Sequence, residues 1–215
     1  ITHFIDFAIA RWSGKPKDVF LIGKGVSYER FNNYASSPIY SYVEGFVPTY
    51  GSPGSDNAFV TDKSTWKSKT NIGRLSAITR AEVANYLNKV KGYEAAILPA
   101  AFPTPSTESW KKQVLHIAGG DGGVPPLQAG TLIPTLNIGK NIIAAPRSGA
   151  SVTTIAKATL GFPTTAGDKS IDSLISNGLS MITYYGHGSA STLDYNIKEP
   201  NEFVTLPKIP IFTAL

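Results

Sequence analysis

The 215-residue sequence contains no cysteine, only three histidines and only 16% charged residues. The lack of cysteine excludes a disulfide scaffold and any thiolate metal site within these residues. The histidines, which are His3, His116 and His187, do not have the HxxxH spacing of a zinc site. Long apolar runs are absent too. The longest, around Gly178–Gly186, is too short to span a bilayer, so we expect no transmembrane segment.

What the sequence has in quantity is apolar and turn-forming residues: 42% is hydrophobic, and there are 20 glycines and 15 prolines. The apolar content and small net charge exclude a disordered tail, and the frequent glycines and prolines exclude a coiled coil. The chain starts at Ile1, and its last residue, Leu215, stands in an apolar run. We therefore interpret it as a fragment of a longer protein with further domains, for which a missing signal peptide says nothing about export.

The net charge is +5, and the lysines that produce it are spread along the chain. The densest basic stretch is Lys63, Lys67 and Lys69 around Trp66. Basic residues beside an aromatic ring are typical of nucleic-acid binding, but three charges supply little of the electrostatic attraction that such binding needs. We therefore interpret this stretch as a solvated loop and expect no nucleic-acid partner.

The first half of the chain carries two helix patterns and several short strand patterns. Apolar residues at helical spacing from Phe4 to Trp12 predict a helix. Thr79 and Glu82 form a capping box before a longer helix, which has Gly92 near its end. Its predicted apolar face comprises Val83, Tyr86, Leu87, Val90 and Tyr93. The predicted strands are Asp18–Gly23, which should be buried, Phe46–Pro48, Ala58–Thr61 and Ile72–Leu75.

A proline-rich connector at Leu98–Pro105 separates two predicted subdomains, over residues 1–97 and 98–215. The second holds one helix pattern within residues 130–145 and another over residues 168–177. Strands and helices that alternate in this way predict an α/β fold, a mostly parallel sheet flanked by helices. The predicted strands here are Gln113–Ala118, Ser151–Ala156, Leu179–Tyr185 and Ile209–Ala214.

Open parallel sheets place their functional sites at the carboxyl ends of the strands. Three predicted strand ends carry glycine with polar residues: Gly23–Tyr28, Gly119–Gly123 and Gly186–Ser191. None completes the GxGxxG pattern of a dinucleotide site, and the sequence has no Walker A, GxSxG or HExxH motif. Elsewhere, Asp56 and Asn57 are oxygen ligands of the kind that calcium takes, although a turn without a metal explains them as well.

The strand end at Gly186–Ser191 is the most informative. His187 stands between two glycines after an apolar strand, and Gly188 can offer an unobstructed backbone N–H. Asp121 follows a second strand, and a carboxylate beside an imidazole fixes its tautomer. The residues alone leave open whether His187 is functional or exposed in a tight turn, and whether Asp121 caps turn amides instead. His116, in mid-strand, is predicted to be a packed core residue.

Three segments resemble the gingipain family of cysteine peptidases, which have a caspase-like fold. Tyr184–Ser189 (YYGHGS) resembles the histidine motif of the family at a strand end. His116–Gly123 (HIAGGDGG) resembles the strand and turn that hold the acidic partner of that histidine. Ile72–Ser76, with the helix that follows, resembles the last unit of the smaller first subdomain.

The resemblance implies a role for each matching residue. His187 would be the general base and acid, Asp121 would orient it, and the N–H of Gly188 would belong to the oxyanion hole. Tyr185 and Gly186 would line the pocket for the residue before the cleaved bond. The nucleophile of the family is a cysteine at the end of the next strand, which places it just beyond Leu215. The resemblance also implies a protein or peptide substrate and an extracytoplasmic location, secreted or at the cell surface.

Two other functions fit the same resemblance. One is a sortase-like transpeptidase associated with bacterial type IX secretion, in which an amine replaces water. The other is a non-catalytic binding module that keeps the fold. No cofactor is expected beyond a structural calcium ion. Residues 122–167, where some members place a specificity acid, contain no Asp or Glu, so cleavage after basic residues is not expected from that arrangement.

Overall fold

The computed structural model describes residues 1–26, 47–51, 54–119, 128–156, 169–188, 192–203 and 207–215. The chain divides into two compact units, Ile1–Leu87 and Asn88–Leu215, and each has its own parallel sheet. The division falls within the helix that precedes the connector at Leu98–Pro105. The subdomain boundary between residues 97 and 98 stays a prediction.

The first unit is built on two parallel strands, β1 (Asp18–Ile22) and β2 (Asn71–Leu75). Helix α1 (Thr2–Arg11) and the one-turn helix α2 (Asn57–Val60) supply most of its core. The prediction that β1 is buried is wrong: its residues alternate between exposed and half-buried, because this sheet has only two strands among the described residues. The core consists of Ile5, Phe59 and Val60, with Ile9, Val19, Leu21 and Ile72 packed against it.

Two short strands predicted in the first half are not observed as strands. Ala58–Thr61 lies largely in α2, because Phe59 and Val60 are both buried against Ile5, and tertiary packing outweighs their strand propensity. Of Phe46–Pro48, Phe46 lies outside the described residues. Val47 donates its N–H to the carbonyl of Lys24 at 3.1 Å, and Thr49 donates to the carbonyl of Val26 at 3.0 Å. These residues therefore hydrogen-bond to the chain that follows β1, but they form no strand of their own.

The second predicted helix is confirmed as α3 (Arg80–Ile97), which continues past Gly92. The capping box forms as expected: the Thr79 Oγ1 accepts from the Glu82 N–H at 3.2 Å, and the Glu82 carboxylate accepts from the Thr79 N–H at 2.9 Å. A further bond from the N–H of Ile78 (2.6 Å) is the main cause of the lowered pKa of Glu82. No residue of α3 is buried, although Tyr86 stacks on Phe20 at a centroid distance of 6.0 Å.

The second unit contains a four-stranded parallel sheet in the order β4-β3-β5-β6. Its strands are β3 (Gln113–Ala118), β4 (Ser151–Ala156), β5 (Met181–Tyr185) and β6 (Ile211–Ala214). All four predicted strands are therefore confirmed. Strands β3 and β5 lie in the middle, and for β5 the near-continuous apolar sequence predicts this position. The short helix α4 (Pro105–Glu108) and a 3-10 turn (Ser109–Lys112) lead into β3.

Two further helices cover the two faces of this sheet. Helix α5 (Ile133–Ile143) follows a π turn (Gln128–Leu132), and helix α6 (Lys169–Asn177) precedes β5. Pro134 does not interrupt α5, because it lies in the first turn, where its missing N–H has no helical partner. The α6 face buries Leu115, Ile117, Ile171, Ile175, Ile182 and Tyr184, whereas the α5 face buries Ala118, Leu132 and Leu136.

His116 lies in mid-strand on the α5 face and is 3% exposed, as predicted for a core residue. A Cβ at Gly139 of α5 would lie 4.0 Å from its Cε1 atom. Burial lowers the pKa of His116, and the charge of Lys140 lowers it further. None of the helices in the described ranges is both long and apolar enough to cross a membrane.

Candidate active site

The carboxyl ends of β3 and β5 lie side by side. Ala118 pairs with Tyr185, and the N–H of Gly119 donates to the Tyr185 carbonyl at 2.9 Å. The two glycine-rich segments that follow these strands therefore start from neighbouring points, as the parallel-sheet argument predicts. Asp121 lies outside the described residues, so its position relative to His187 stays a prediction.

His187 lies two residues beyond β5, and its side chain is exposed. The chain then turns back on itself, because Gly188 and Leu193 form an antiparallel bridge. The residues on either side of this bridge form a hydrogen bond, in which the N–H of Asp194 donates to the carbonyl of His187 at 2.9 Å. This bond does not engage the N–H of Gly188, an exposed residue three positions past β5.

The hydroxyl of Tyr184 holds the two described ends of this turn, residues 187–188 and 192–194, which together we call the histidine turn. Tyr184 is 1% exposed. Its hydroxyl donates to the carbonyl of His187 at 2.6 Å and accepts from the N–H of Asp194 at 3.0 Å. Burial, with a smaller contribution from the charge of Asp194, raises the pKa of Tyr184, so the hydroxyl remains a donor at neutral pH. Sequence reasoning assigned Tyr184 no role; the only signal was a polar ring in an apolar strand.

Two glycines leave room for this hydroxyl. A Cβ at Gly119 would lie 2.3 Å from the Tyr184 Oη atom, and a Cβ at Gly186 would lie 3.0 Å from it and 2.8 Å from the Gly119 Cα. Neither glycine has a positive φ, so these positions need glycine for space. The tips of β3 and β5 approach each other closely only because both residues lack a side chain.

The chain that leaves the histidine turn is anchored in the core of the second unit. Tyr195 is 6% exposed within the α6-face cluster, and Ile197 and Phe203 pack against the same cluster. On the surface, the Lys198 ammonium and the Asp172 carboxylate are 2.5 Å apart, and this hydrogen bond is the main reason that the pKa of Lys198 is raised. The histidine turn is therefore fixed at both ends by buried residues.

Tyr185 and Gly186, the predicted pocket residues, are half-buried at the same sheet edge. The Tyr185 side chain packs against the cluster of Ala118, Leu132 and Leu136 on the α5 face. It therefore lies on the opposite face from Tyr184, as expected for neighbouring residues of a strand. Whether Tyr185 and Gly186 line a substrate pocket stays a prediction.

Strand β6 brings a third chain segment to this edge. Tyr184 pairs with Ala214, and the N–H of Leu215 donates to the Tyr184 carbonyl at 2.9 Å. The parallel register of β5 and β6 is thus kept up to Leu215, beside the residues that lead into His187. The 215 residues contain no cysteine, so none of them brings a thiol to this edge.

The residues considered for calcium are engaged in another interaction. Both carboxylate oxygens of Asp56 accept from Arg74, at 2.6 Å each, and Asn57 begins α2. This ion pair leaves the calcium interpretation of Asp56 without support. Across the described ranges, no three His, Asp or Glu side chains are grouped as they would be to hold a metal ion.

The basic stretch around Trp66 forms a compact loop closed by a bridge between Thr61 and Ser68. Lys69 pairs with Asp6, and the Lys63 ammonium donates to the Tyr50 hydroxyl at 2.8 Å. Two of the three lysines are therefore engaged by residues of the same unit, in keeping with the solvated-loop interpretation. Trp66 itself is 82% exposed and has a φ of 56°.

Comparison with known proteins identifies the family of this chain and its fold. The sequence profile of peptidase family C25 matches residues 1–215. The chain therefore belongs to peptidase family C25, the gingipain-like cysteine peptidases. A comparison with curated proteins found no match.

Among solved structures, the chain is similar to the Arg-specific cysteine proteinase gingipain R, with a TM-score of 0.63 and 14% sequence identity. The alignment covers 99% of this chain and 44% of gingipain R, so the chain spans less than half the length of that structure. At this identity the likeness concerns the fold, and it confirms the predicted caspase-like α/β architecture.

Proposed function

We propose that this chain carries the histidine side of the catalytic centre of a cysteine endopeptidase, with His187 as general base and acid. The nucleophile would be a cysteine at the carboxyl end of β6, just beyond Leu215. The observation that carries the proposal is the register of β5 and β6, in which the Leu215 N–H donates to the Tyr184 carbonyl. A residue that follows Leu215 in this register emerges beside Tyr185 and Gly186, one or two residues from His187.

The proposed reaction uses groups at this one edge. The imidazole of His187 takes the thiol proton, and the thiolate attacks the carbonyl carbon of the peptide bond. The N–H of Gly188 donates to the oxygen that becomes negative. The imidazolium returns its proton to the leaving amine as the C–N bond breaks, and water then hydrolyses the thioester. Asp121 would hold the imidazole in the productive tautomer.

The substrate is proposed to be a protein or peptide, with Tyr185 and Gly186 lining the pocket for the residue before the cleaved bond. We do not extend the arginine specificity of gingipain R to this chain, since residues 122–167 contain no carboxylate. The proposed location is extracytoplasmic, secreted or at the cell surface, and the proposed parent protein carries further domains.

The test is thiol alkylation in the protein extended through its native residues beyond Leu215. A peptidyl electrophile should modify one cysteine next to β6, detected by mass spectrometry. His187→Ala should abolish this modification with the fold intact, whereas His3→Ala, at an exposed position in the first unit, should leave its rate unchanged. Alkylation of the His187→Ala variant at the wild-type rate would remove His187 from the mechanism.

A second measurement separates the competing functions. Peptide products analysed with and without an added amine distinguish hydrolysis from transfer: an amide product formed with the amine would identify a transpeptidase. A native sequence without cysteine in the first two positions after Leu215 would contradict the peptidase proposal and favour a binding module.

A further inference from the structure

The hydrogen bonds of the Tyr184 hydroxyl are concentrated on one short segment. It donates to the carbonyl of His187 at 2.6 Å and accepts from the N–H of Asp194 at 3.0 Å, with a longer contact to the N–H of Tyr195 at 3.4 Å. A phenol has one proton to donate and accepts through its oxygen. These contacts use that capacity on the two ends of the histidine turn.

Simple burial of a tyrosine does not account for this arrangement. A buried phenol needs one partner to offset its desolvation, whereas this one joins the start of the turn to its end. The carbonyl of His187 also accepts from the N–H of Asp194 at 2.9 Å, so two donors fix its position. His187 is flanked by glycines and its side chain is exposed, so the position of its ring depends on the main chain that Tyr184 holds.

The surroundings of the hydroxyl are shaped to keep it in place. The Tyr184 ring is part of the α6-face core together with Leu115 and Ile171, and a Cβ at Gly119 would approach the hydroxyl oxygen to 2.3 Å. A backbone-supported Cβ at that distance cannot be accommodated without displacing the hydroxyl. The absence of a side chain at Gly119, on the neighbouring strand, is therefore a condition for the three contacts.

We infer that Tyr184 is a positioning residue for His187, and that Gly119 is required because it leaves space for the Tyr184 hydroxyl. The inference rests on the proposed function of His187, since positioning matters for the reaction only if that imidazole transfers the proton. Tyr184 touches neither substrate nor the reacting atoms in this role. It sets the main-chain position from which the imidazole and the N–H of Gly188 extend.

The first test is Tyr184→Phe in the full-length protein, which keeps the ring in the core and removes the hydroxyl. We expect kcat to fall about 10- to 100-fold, as for a small displacement of a reacting group, while KM changes little because no substrate contact is lost. Tyr93→Phe is the matched control: Tyr93 is half-buried and packs edge-on against Trp110, and its hydroxyl should be dispensable. An unchanged kcat for Tyr184→Phe in an active, folded enzyme would overturn the inference.

The second test does not depend on catalysis. In the same protein labelled with ¹³C-histidine, Tyr184→Phe should shift and broaden the imidazole resonances of His187 and leave those of His116 and His3 unchanged. His116 faces α5, away from Tyr184, and His3 belongs to the other unit. If Tyr184→Phe only loosened the sheet, the resonances of His116, which lies in the same sheet, would change as well. Unchanged resonances of His187 would overturn the inference.

Gly119→Ala provides a second variant should Tyr184→Phe unfold. It leaves the aromatic ring in the core and displaces the hydroxyl, so it should shift the same His187 resonances and lower kcat. In the double variant the two losses of kcat should be less than additive, because both act through one hydroxyl. An enzyme that is inactive as wild type, but whose His187 resonances respond to both substitutions, contradicts the proposed function and leaves the positioning of His187 by Tyr184 supported.

Discussion

His116 and Thr154 lie opposite each other in the register of β3 and β4, and each has one buried polar atom that no described residue pairs with. Neither the Nδ1 atom of His116 nor the Oγ1 atom of Thr154 has a hydrogen-bond partner among the described residues. Thr183 lies opposite His116 on the other side, and Thr213 lies opposite Thr183. A row of polar side chains therefore crosses the sheet on the face that carries α5.

The first prediction concerns Thr154→Val, which replaces the hydroxyl by a methyl group of similar size. An unpaired buried hydroxyl costs free energy of desolvation, so removing it should raise the free energy of unfolding by up to about 1 kcal/mol. Urea denaturation measures the change. A loss of more than about 1 kcal/mol would mean that the hydroxyl is paired in solution.

The second prediction concerns the pH dependence of stability. Burial, and to a smaller extent Lys140, lowers the pKa of His116 in the folded chain, whereas the unfolded chain titrates at the ordinary value of about 6.5. The unfolded state therefore binds the proton at higher pH than the folded state does. This contribution to stability is complete above about pH 6.5 and is lost as the pH falls from there through the folded pKa.

Urea denaturation at a series of pH values from about 8 to about 5 checks the prediction. The slope of stability against pH should flatten in His116→Gln and persist in His3→Gln. An unchanged slope in His116→Gln would assign the pH dependence to other groups.

The third prediction concerns Arg74, whose guanidinium makes two 2.6 Å bonds to Asp56 and also donates to the carbonyls of Gly23 and Val47. Its side chain is only 9% exposed. Arg74→Ala leaves the Asp56 charge without its partner and should destabilise the first unit by roughly 3–5 kcal/mol. Arg80→Ala, at an exposed position on α3, should change stability by less than about 0.5 kcal/mol. Comparable unfolding midpoints for the two variants would contradict this account.

The fourth prediction concerns Trp66, which has a φ of 56° and is 82% exposed. Asparagine adopts this left-handed conformation more readily than tryptophan does, so Trp66→Asn should stabilise the protein by about 0.5–1 kcal/mol. Trp12→Asn serves as the control because Trp12 has an ordinary φ of −78°, and it should give no gain. A destabilised Trp66→Asn variant would show that the exposed ring packs against something in solution.

The fifth prediction concerns Gly188. A Cβ there would lie 3.3 Å from the Thr192 carbonyl oxygen and 3.2 Å from the Leu193 side chain. The leucine can move, but the carbonyl belongs to the turn, so Gly188→Ala should shift the N–H proposed for the oxyanion hole. We expect kcat of the full-length enzyme to fall roughly 10- to 100-fold. Wild-type kcat in the variant would exclude this N–H from the reaction.

The second unit was predictable from sequence to a large extent. Its four strands could be located from their apolar residues, and β5 could be placed in the middle because a strand buried on both faces carries no alternation. The neighbouring ends of β3 and β5 follow from this placement, since carboxyl ends of parallel strands share one edge. The glycine neighbours of His187 indicated that few side chains pack against it, but they left its role open.

The rest depended on packing that has no local signal. Phe59 and Val60 favour a strand by propensity but complete a helical turn, because both are needed against Ile5. The stripe predicted on α1 includes Phe4 and Trp12, which are 63% and 49% exposed. The role of the Tyr184 hydroxyl could not be predicted from the sequence. It depends on Gly119, which lies 65 positions away and whose lack of a side chain leaves space for the hydroxyl.

The two central strands of the larger sheet join distant parts of the chain: the N–H and the hydroxyl of Ser180 both donate to the carbonyl of Gln113, 67 residues earlier. Such a pairing forms slowly, because the entropy cost of closing a long loop comes before the stabilising contacts of the paired strands. The segment that bears His187 extends from the later of these strands and takes its shape from it. In a newly synthesised chain, the position of His187 is therefore not set until the sheet of the second unit has assembled.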